Sequence, residues 1–563
     1  MIQFVPYLPL GPPPRPRTRC LYPSARVAAR TGLDPKRLSW WALASVCCAL
    51  GCGSGSAPLP VPDAPTAGSV PARVVAGSAV RCDDPEARVS APYVYASAAP
   101  WVATGVEWGA GASVADFDGD GRLDVFMPDQ SVWRMYLATE TGGFANISFP
   151  SGFQADVSSS ADVEGDGDLD LFVGGMGGHA LVRNDGTSWS VETIGSPTRA
   201  TCAAWDDVDD DGDLDLFVGS HTLEQVYPEQ MAPGALPLPD PPRLYLNEAG
   251  ALTDASERVE DGDGGFVYAA GFYDLDGDGA RDLYLVNDFG PQATPNVTLM
   301  RRGDRFQRED IGLEVAAYGM GLAAGDLDGD SLPDFLVSSW DSLYLLESAG
   351  GWHDAALARG LFPTGDQHVA WGNALEDLDN DGDLDAFVTF GRLGVPSGTE
   401  EEFEEVIGAE NPELQEDGLW VADGGAYREE AAAWGIAAPG AGRTVIVADV
   451  DQNGWPDLLL RELDGSPRLY VARCGEAAWL QVALSQPGLN PRAVGATVEV
   501  EAPGRVWRRW LVAGGGSAGS GPPEVAFGLG DEEVVDIVVR WPDGETSRVS
   551  GVDTRRRVTV VRE

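Results

Sequence analysis

The stretch DFDGDGRLD, Asp116 to Asp124, constrains this chain more than any other. Acids stand at its first, third, fifth and ninth positions, with Gly121 at the sixth. A hard cation such as Ca2+ takes roughly six to eight oxygens at about 2.3–2.6 Å. Asp116, Asp118 and Asp120 can offer three from alternate positions of a tight turn. The backbone carbonyl of Arg122 adds a fourth, and a bidentate Asp124 completes the shell. Glycine at position six permits the positive φ that folds the ligands back around the ion.

The pattern returns six times. In order of position one, three, five, seven and nine, the second loop carries Asp162, Glu164, Asp166, Asp168 and Asp170. The third carries Asp207, Asp209, Asp211, Asp213 and Asp215, and the fourth Asp274, Asp276, Asp278, Ala280 and Asp282. The fifth has Asp326, Asp328, Asp330, Leu332 and Asp334; the sixth has Asp377, Asp379, Asp381, Asp383 and Asp385. Asp449, Asp451, Asn453, Trp455 and Asp457 form the seventh. Up to seven structural Ca2+ are expected. Ser331 replaces the sixth-position glycine of loop five, and Asn453 replaces an acid in loop seven, so those two sites are expected to be weaker. Glu164 is longer than aspartate but keeps the charge.

Successive loops start 46, 45, 67, 52, 51 and 72 residues apart, a repeat length that signals a propeller or array. A small-residue apolar strand precedes each loop, as in GMGLAAGDLD, and a second strand follows, as in DLFVGG. A third is read in RLYLNE, SLYLLES, GLWVADG and RLYVARC. Strand flanks and the missing twelfth-position glutamate exclude EF-hands. The expectation is an all-β, seven-bladed propeller; a straight solenoid is the alternative, disfavoured because closure leaves only short sheet edges.

The formal net charge of −50 argues against nucleic acid as a partner. Hydrophobic content of 44% with 17 Trp argues for a packed protein rather than an acidic disordered one. Four histidines, His179, His221, His353 and His368, are scattered, with no nucleophile or metalloprotease motif near them.

Residues 1–52 read as a targeting segment: arginines precede the apolar run Leu38–Leu50, which ends in ALGC. That run is shorter than the roughly 20 residues a spanning helix needs. It resembles a bacterial lipoprotein signal with Cys52 as the lipidated residue; an ordinary cleaved secretory peptide is the alternative. Either reading exports the chain, as an outer-membrane lipoprotein (periplasmic or surface) or a secreted protein. Residues 53–84, rich in Pro, Gly and Ser, are expected to be a flexible linker. The propeller is placed at 85–475 and a small C-terminal β domain at 476–563.

EWGAGASVADFDGDGRLDVF and HVAWGNALEDLDNDGDLDAFV, each followed by an LYxN-like strand, resemble the FG-GAP or VCBS repeats of integrin-α-type propellers. They are similar to the cartilage acidic protein 1 family and its bacterial relatives. That family ends in an ASPIC/UnbV domain, and this chain closes similarly with AVGATVEVEAPGRVWRRWLVAGG, VAFGLGD and VVDIVVRWPDGETSRV. The EGF-like module of animal members has no counterpart here.

Cys82 precedes the first blade and Cys474 ends the last, so a closed ring would bring them together as a disulfide clasp in an oxidising compartment. Cys202 reads as a buried free thiol. Two long insertions, about 223–242 and 392–417, fall at the turn after the second strand, on the face opposite the calcium loops, where a protein or polysaccharide partner could bind. Plain solvated loops are the alternative. Arg508, Arg509 and Arg555 to Arg557 read first as a solvated face and second as a surface that docks on the acidic propeller. Gly514–Gly515–Gly516–Ser517 is not a phosphate loop, since no Lys-Ser/Thr follows.

The leading functional reading is a monomeric, non-catalytic, calcium-stabilised recognition, adhesion or scaffold protein at the bacterial envelope. A polysaccharide lyase or hydrolase on the same scaffold is the second reading, and an assembly factor for another surface protein the third. No converging His, Tyr and Arg set is legible, and His368 with Trp371 reads as repeat packing.

Overall fold

The computed structural model describes residues 68–96, 104–105, 110–129, 132–150, 153–176, 178–195, 198–223, 236–260, 265–340, 342–363, 368–391 and 414–563. Cys52, the targeting segment and most of both insertions lie outside them.

Seven antiparallel sheets follow one another, six of four strands and that of blade 3 with a fifth, Ala513–Gly514, paired beside its first. Blade 1 is Ser113–Ala115, Asp124–Met127, Val132–Thr139 and Gly143–Pro150. The first strands of blades 2 to 7 are Val157–Ala161, Ala200–Asp206, Phe266–Tyr273, Gly319–Gly325, Ala370–Glu376 and Gly442–Ala448. Each first strand touches the next, and that of blade 7 touches that of blade 1. The ring is a seven-bladed β-propeller with these strands around its axis.

Closure is made by the chain's N-terminal part. Tyr93–Tyr95 pairs with Arg468–Ala472 as the fourth strand of blade 7. Cys82 and Cys474 form a disulfide with Cα atoms 5.5 Å apart, beside that seam. Cys202 is free and buried.

Small residues fill the first strands because the axis is crowded. A Cβ on Gly321 would stand 2.5 Å from the carbonyl oxygen of Trp371 in the neighbouring blade. Large side chains lie between blades instead, with Trp133, Trp205 and Trp420 fully buried. That apolar burial is the main force holding the ring.

The C-terminal domain is a pair of four-stranded sheets around a core that includes Leu480, Val498, Phe527, Ile537, Trp541 and Val560. One correction concerns the linker. Ala72–Ala76 is no flexible spacer but an edge strand of this domain, antiparallel to Arg556–Arg562. The segment alternates, with Val70, Ala72 and Val74 packed on the core, so period-two burial outweighs its loop-like composition.

The domain seats on the end of the propeller that carries the aspartate-rich loops. Trp507 Nε1 donates to Gly382 O (3.1 Å), Arg492 to Gly167 O (2.8 Å) and Gly530 N to Asn380 O (2.9 Å). Arg508 pairs with Asp326 at 2.5 Å, and Arg509 is buried, so the solvated-face reading fails for these two. A strongly acidic face selects the cationic side chains opposite it.

The glycine-rich stretch after the strand Arg505–Trp510 of this domain enters the channel. Gly515 N donates to Ala203 O (2.8 Å), Leu322 N to Gly516 O (2.8 Å), Ser158 N to Ala518 O (3.1 Å) and Ser520 N to Ala112 O (2.9 Å). Blades 1, 2, 3 and 5 are thereby stitched to one loop. Only glycine fits at 514, where φ is 72° and a Cβ would stand 2.2 Å from Ala203 O.

Candidate metal centres

Each loop joins the first strand of its blade to the second, and every second strand begins on the ninth loop residue. That aspartate is buried in all seven loops, at most 1% exposed. Its Oδ2 accepts the amide of the second loop residue, as Phe117 N to Asp124 (2.9 Å) and Val450 N to Asp457 (2.8 Å). Its Oδ1 accepts an amide of the third strand, as Ala138 N to Asp124 and Ala472 N to Asp457, both 2.7 Å. The equivalent pairs recur for Asp170, Asp215, Asp282, Asp334 and Asp385. The ninth carboxylate therefore pins loop, second strand and third strand together.

The first residue curls the turn. Asp116 takes the amides of Asp120 and Gly121 at 3.1 and 2.9 Å. The sixth residue's amide bonds the first carboxylate likewise from Gly167, Gly212, Gly279, Gly382 and Gly454. Loop five departs. Ser331 holds φ at 83°, strained for a residue with a Cβ, and Arg508 takes Asp326 Oδ2.

Ligand oxygens of positions one, three and nine lie within 4.8 Å of one another in the Asp116, Asp207, Asp274, Asp326 and Asp377 loops. Three carboxylates at that spacing suit one hard cation, the all-oxygen donor set of calcium. Position five does not join these triplets. Its oxygen accepts the amide of residue seven in every loop, from Arg122 to Asp120 (2.9 Å) through Trp455 to Asn453 (2.8 Å). That bond fixes residue seven, whose carbonyl was expected to coordinate.

Burial, set against the two amide bonds, pushes the ninth carboxylates up: Asp124 and Asp282 to about 7, Asp215 to about 8. Asp457 stands well above the usual range, through burial and then the charges of Asp451 and Asp449. These are carboxylates in want of a positive charge. Arginines supply part of it: Arg183 bonds Glu164, Arg302 lies 3.2 Å from Asp276, and Arg258 3.5 Å from Asp209.

A second concave feature was not legible in the sequence. On the channel's far side, above Ser517 and Ala518, a cavity of about 30 Å³ is lined by Arg199, Tyr268, Met320, Trp371, Arg443 and Thr444. Arg443 stacks on Trp371 (4.0 Å), whose Nε1 donates to Gly391 O (2.6 Å). Asp156, Thr201, Tyr268, Met320, Trp371 and Arg443 each stand six residues before the first aspartate of a loop. Aligning the repeats on their loops brings them into one column.

A model described as an FG-GAP-like repeat matches residues 116–173, 162–218 and 274–337, and one for ASPIC and UnbV matches 486–563. No curated protein matches the sequence. Among solved structures, BBS1N in its complex with ARL6DN is 11% identical, covering 68% of this chain and 97% of that one, with a TM-score of 0.42. An Agrocybe aegerita lectin that recognises non-reducing terminal N-acetylglucosamine is 17% identical over 57% of this chain and 79% of its own, with a TM-score of 0.37. YCF48 from Cyanidioschyzon merolae is 11% identical over 66% and 98%, also with a TM-score of 0.37.

Proposed function

We propose that the chain is a calcium-stabilised recognition or scaffold protein without chemistry of its own, exported and held at a bacterial envelope through Cys52. The observation that carries the calcium reading is the repeated carboxylate triplet pinned to the same backbone amides. Calcium would be held by the first, third and ninth residues of each loop, and would neutralise charges that otherwise repel across the turn. Its part is structural, since the same donor set recurs blade after blade without a lone base or nucleophile among the loops.

The C-terminal domain covers the loop end, so the partner face is the opposite one. The second strands of blades 3 and 6 run from the loops towards that face, ending at Ser220 and Phe390 just before the two insertions. Residues 224–235 and 392–413, the larger parts of both, lie outside the described residues. Long connections on a rigid scaffold commonly carry binding.

The test is a polysaccharide and glycan array probed with the protein in calcium and in EGTA. The same polymers are assayed for released reducing or unsaturated ends. Calcium-dependent binding without product is expected; released product would replace this reading with that of a carbohydrate-active enzyme.

A further inference from the structure

Among the described residues the C-terminal domain bonds the sixth loop at three points. Gly530 N donates to Asn380 O (2.9 Å), Trp507 Nε1 to Gly382 O (3.1 Å) and Arg505 Nη2 to Asp383 Oδ1 (2.7 Å). Packing there is backbone against backbone. A Cβ on Gly528 would run into the Asp377 carboxylate and the Asn380 backbone, and one on Gly382 would stand 2.7 Å from Trp507 Nε1. Trp507, Asp377 and Asn380 are all buried.

The bonded segment is the one that the candidate metal ligands shape. The amides of Asp381 and Gly382 turn inwards to Asp377, at 3.1 and 2.7 Å. The carbonyls of Asn380 and Gly382 turn outwards to the domain. Asn380 holds φ at 59°, a left-handed conformation that persists only while its surroundings impose it. Asp377, Asp379 and Asp385 bring one oxygen each within 4.8 Å of the others. Three such charges repel, and a cation binds all three only in the curled turn.

We propose that the calcium of the sixth loop seats the C-terminal domain. With the ion in place, the Asn380–Gly382 turn presents its carbonyls to Gly530 and Trp507. Without it the carboxylates separate, the turn relaxes and this edge of the domain loosens. The glycine-rich loop is bonded to blades 1, 2, 3 and 5 instead, so the domain stays tethered in the channel. Linkage makes the effect reciprocal, and a seated domain raises the affinity of loop six for its ion. This seat rests on the calcium reading above.

The experiment is hydrogen exchange of the full chain in saturating calcium, read at single amides. It compares the unaltered protein with Asp379→Asn and Asp118→Asn, which each remove the third-position ligand of one loop, six and one respectively. Asp379 accepts the amide of Asp381 within its own loop (3.3 Å). Among the described residues, loop one is bonded through Gly121 O to Gln452 of blade 7 and takes no hydrogen bond from the domain. In Asp379→Asn the Gly530 amide, whose acceptor is Asn380 O, is expected to exchange about tenfold faster, the scale of ordinary coupling between sites. It should be unchanged in Asp118→Asn, and the Gly515 amide in the channel unchanged in both.

Calorimetric titration of the same samples counts bound calcium, so the two readings fail separately. If the unaltered protein binds no calcium, the calcium reading falls and takes the seat with it. If Asp379→Asn loses one ion and Gly530 exchange does not change, the seat alone is overturned. Equal acceleration of Gly530 in both variants would be general softening and would overturn it too. Should Asp379→Asn not fold, Trp507→Phe decides. Loss of the indole bond to Gly382 should weaken one calcium site about fivefold, and an unaltered isotherm would overturn the seat.

Discussion

Arg508 of the C-terminal domain holds Asp326, the first residue of the fifth loop, through a bond of 2.5 Å to its Oδ2. The same guanidinium bonds Glu499 at 2.8 Å, and both partners of the Arg508–Asp326 pair are largely buried. In this loop a side chain takes the place of the sixth residue's amide, which bonds that oxygen in the other six. Arg508→Gln should therefore cost on the order of 3 kcal/mol in denaturant unfolding, the scale of breaking a buried pair. The loss should be smaller in calcium than in EGTA, because a cation can take over the charge. Equal losses would contradict that role.

Pin and ligand are separable by mutation. Asp385→Asn places an amide nitrogen against a backbone N–H that now donates to the carboxylate, from Leu378 or from Ala422. It should destabilise the protein in EGTA by roughly 1–3 kcal/mol in denaturant unfolding, and by more in calcium, where a ligand is lost as well. Asp379→Asn removes mainly a ligand and a repulsive neighbour, so it should destabilise in calcium and leave the EGTA value unchanged or raised. Paired unfolding curves of the two variants check this.

The acid–base behaviour has a definite sign. In the metal-free protein Asp124, Asp282 and Asp449 are raised to about 7, chiefly by burial, against about 3.9 when unfolded. A carboxyl raised on folding contributes stability that is present below its unfolded pKa and lost as pH climbs through the folded one. In EGTA the melting temperature should fall between about pH 4 and about pH 7, the window set by those two values. In saturating calcium it should rise over the same interval, because protons compete for the ligands. Parallel curves would contradict the assignment.

The clasp between Cys82 and Cys474 spans 392 residues. Chain-entropy reasoning gives roughly 6 kcal/mol for so long a loop, as an upper figure. Cys474→Ser should lower the unfolding midpoint and expose the Tyr93–Tyr95 strand to early hydrogen exchange. Exchange at Asp170–Gly175 should change last.

The propeller was legible because every blade repeats one nine-residue pattern with aspartate at its first and ninth positions, and the loop geometry follows from that pattern. The outer strands were not: Ala251–Asp254, His353–Asp354 and Ala426–Glu429 are short and mostly exposed, and blade 7 borrows its fourth from 93–95. Such edges lack the apolar run that betrays a strand. The role of Gly514 to Gly516 was hidden for a different reason. A glycine run states only that the backbone is free, and its use in the channel depends on carbonyls of Ala203, Ala270 and Leu322 from three blades.

The central claim is that calcium in the loops holds the blades, and differential scanning calorimetry in calcium and in EGTA tests it most directly. Binding to the native state alone contributes about 2.7 kcal/mol per site at a hundredfold excess. Several such sites should raise the melting temperature by many degrees, increasing with free calcium. A shift of only a degree or two, independent of calcium concentration, would contradict the account.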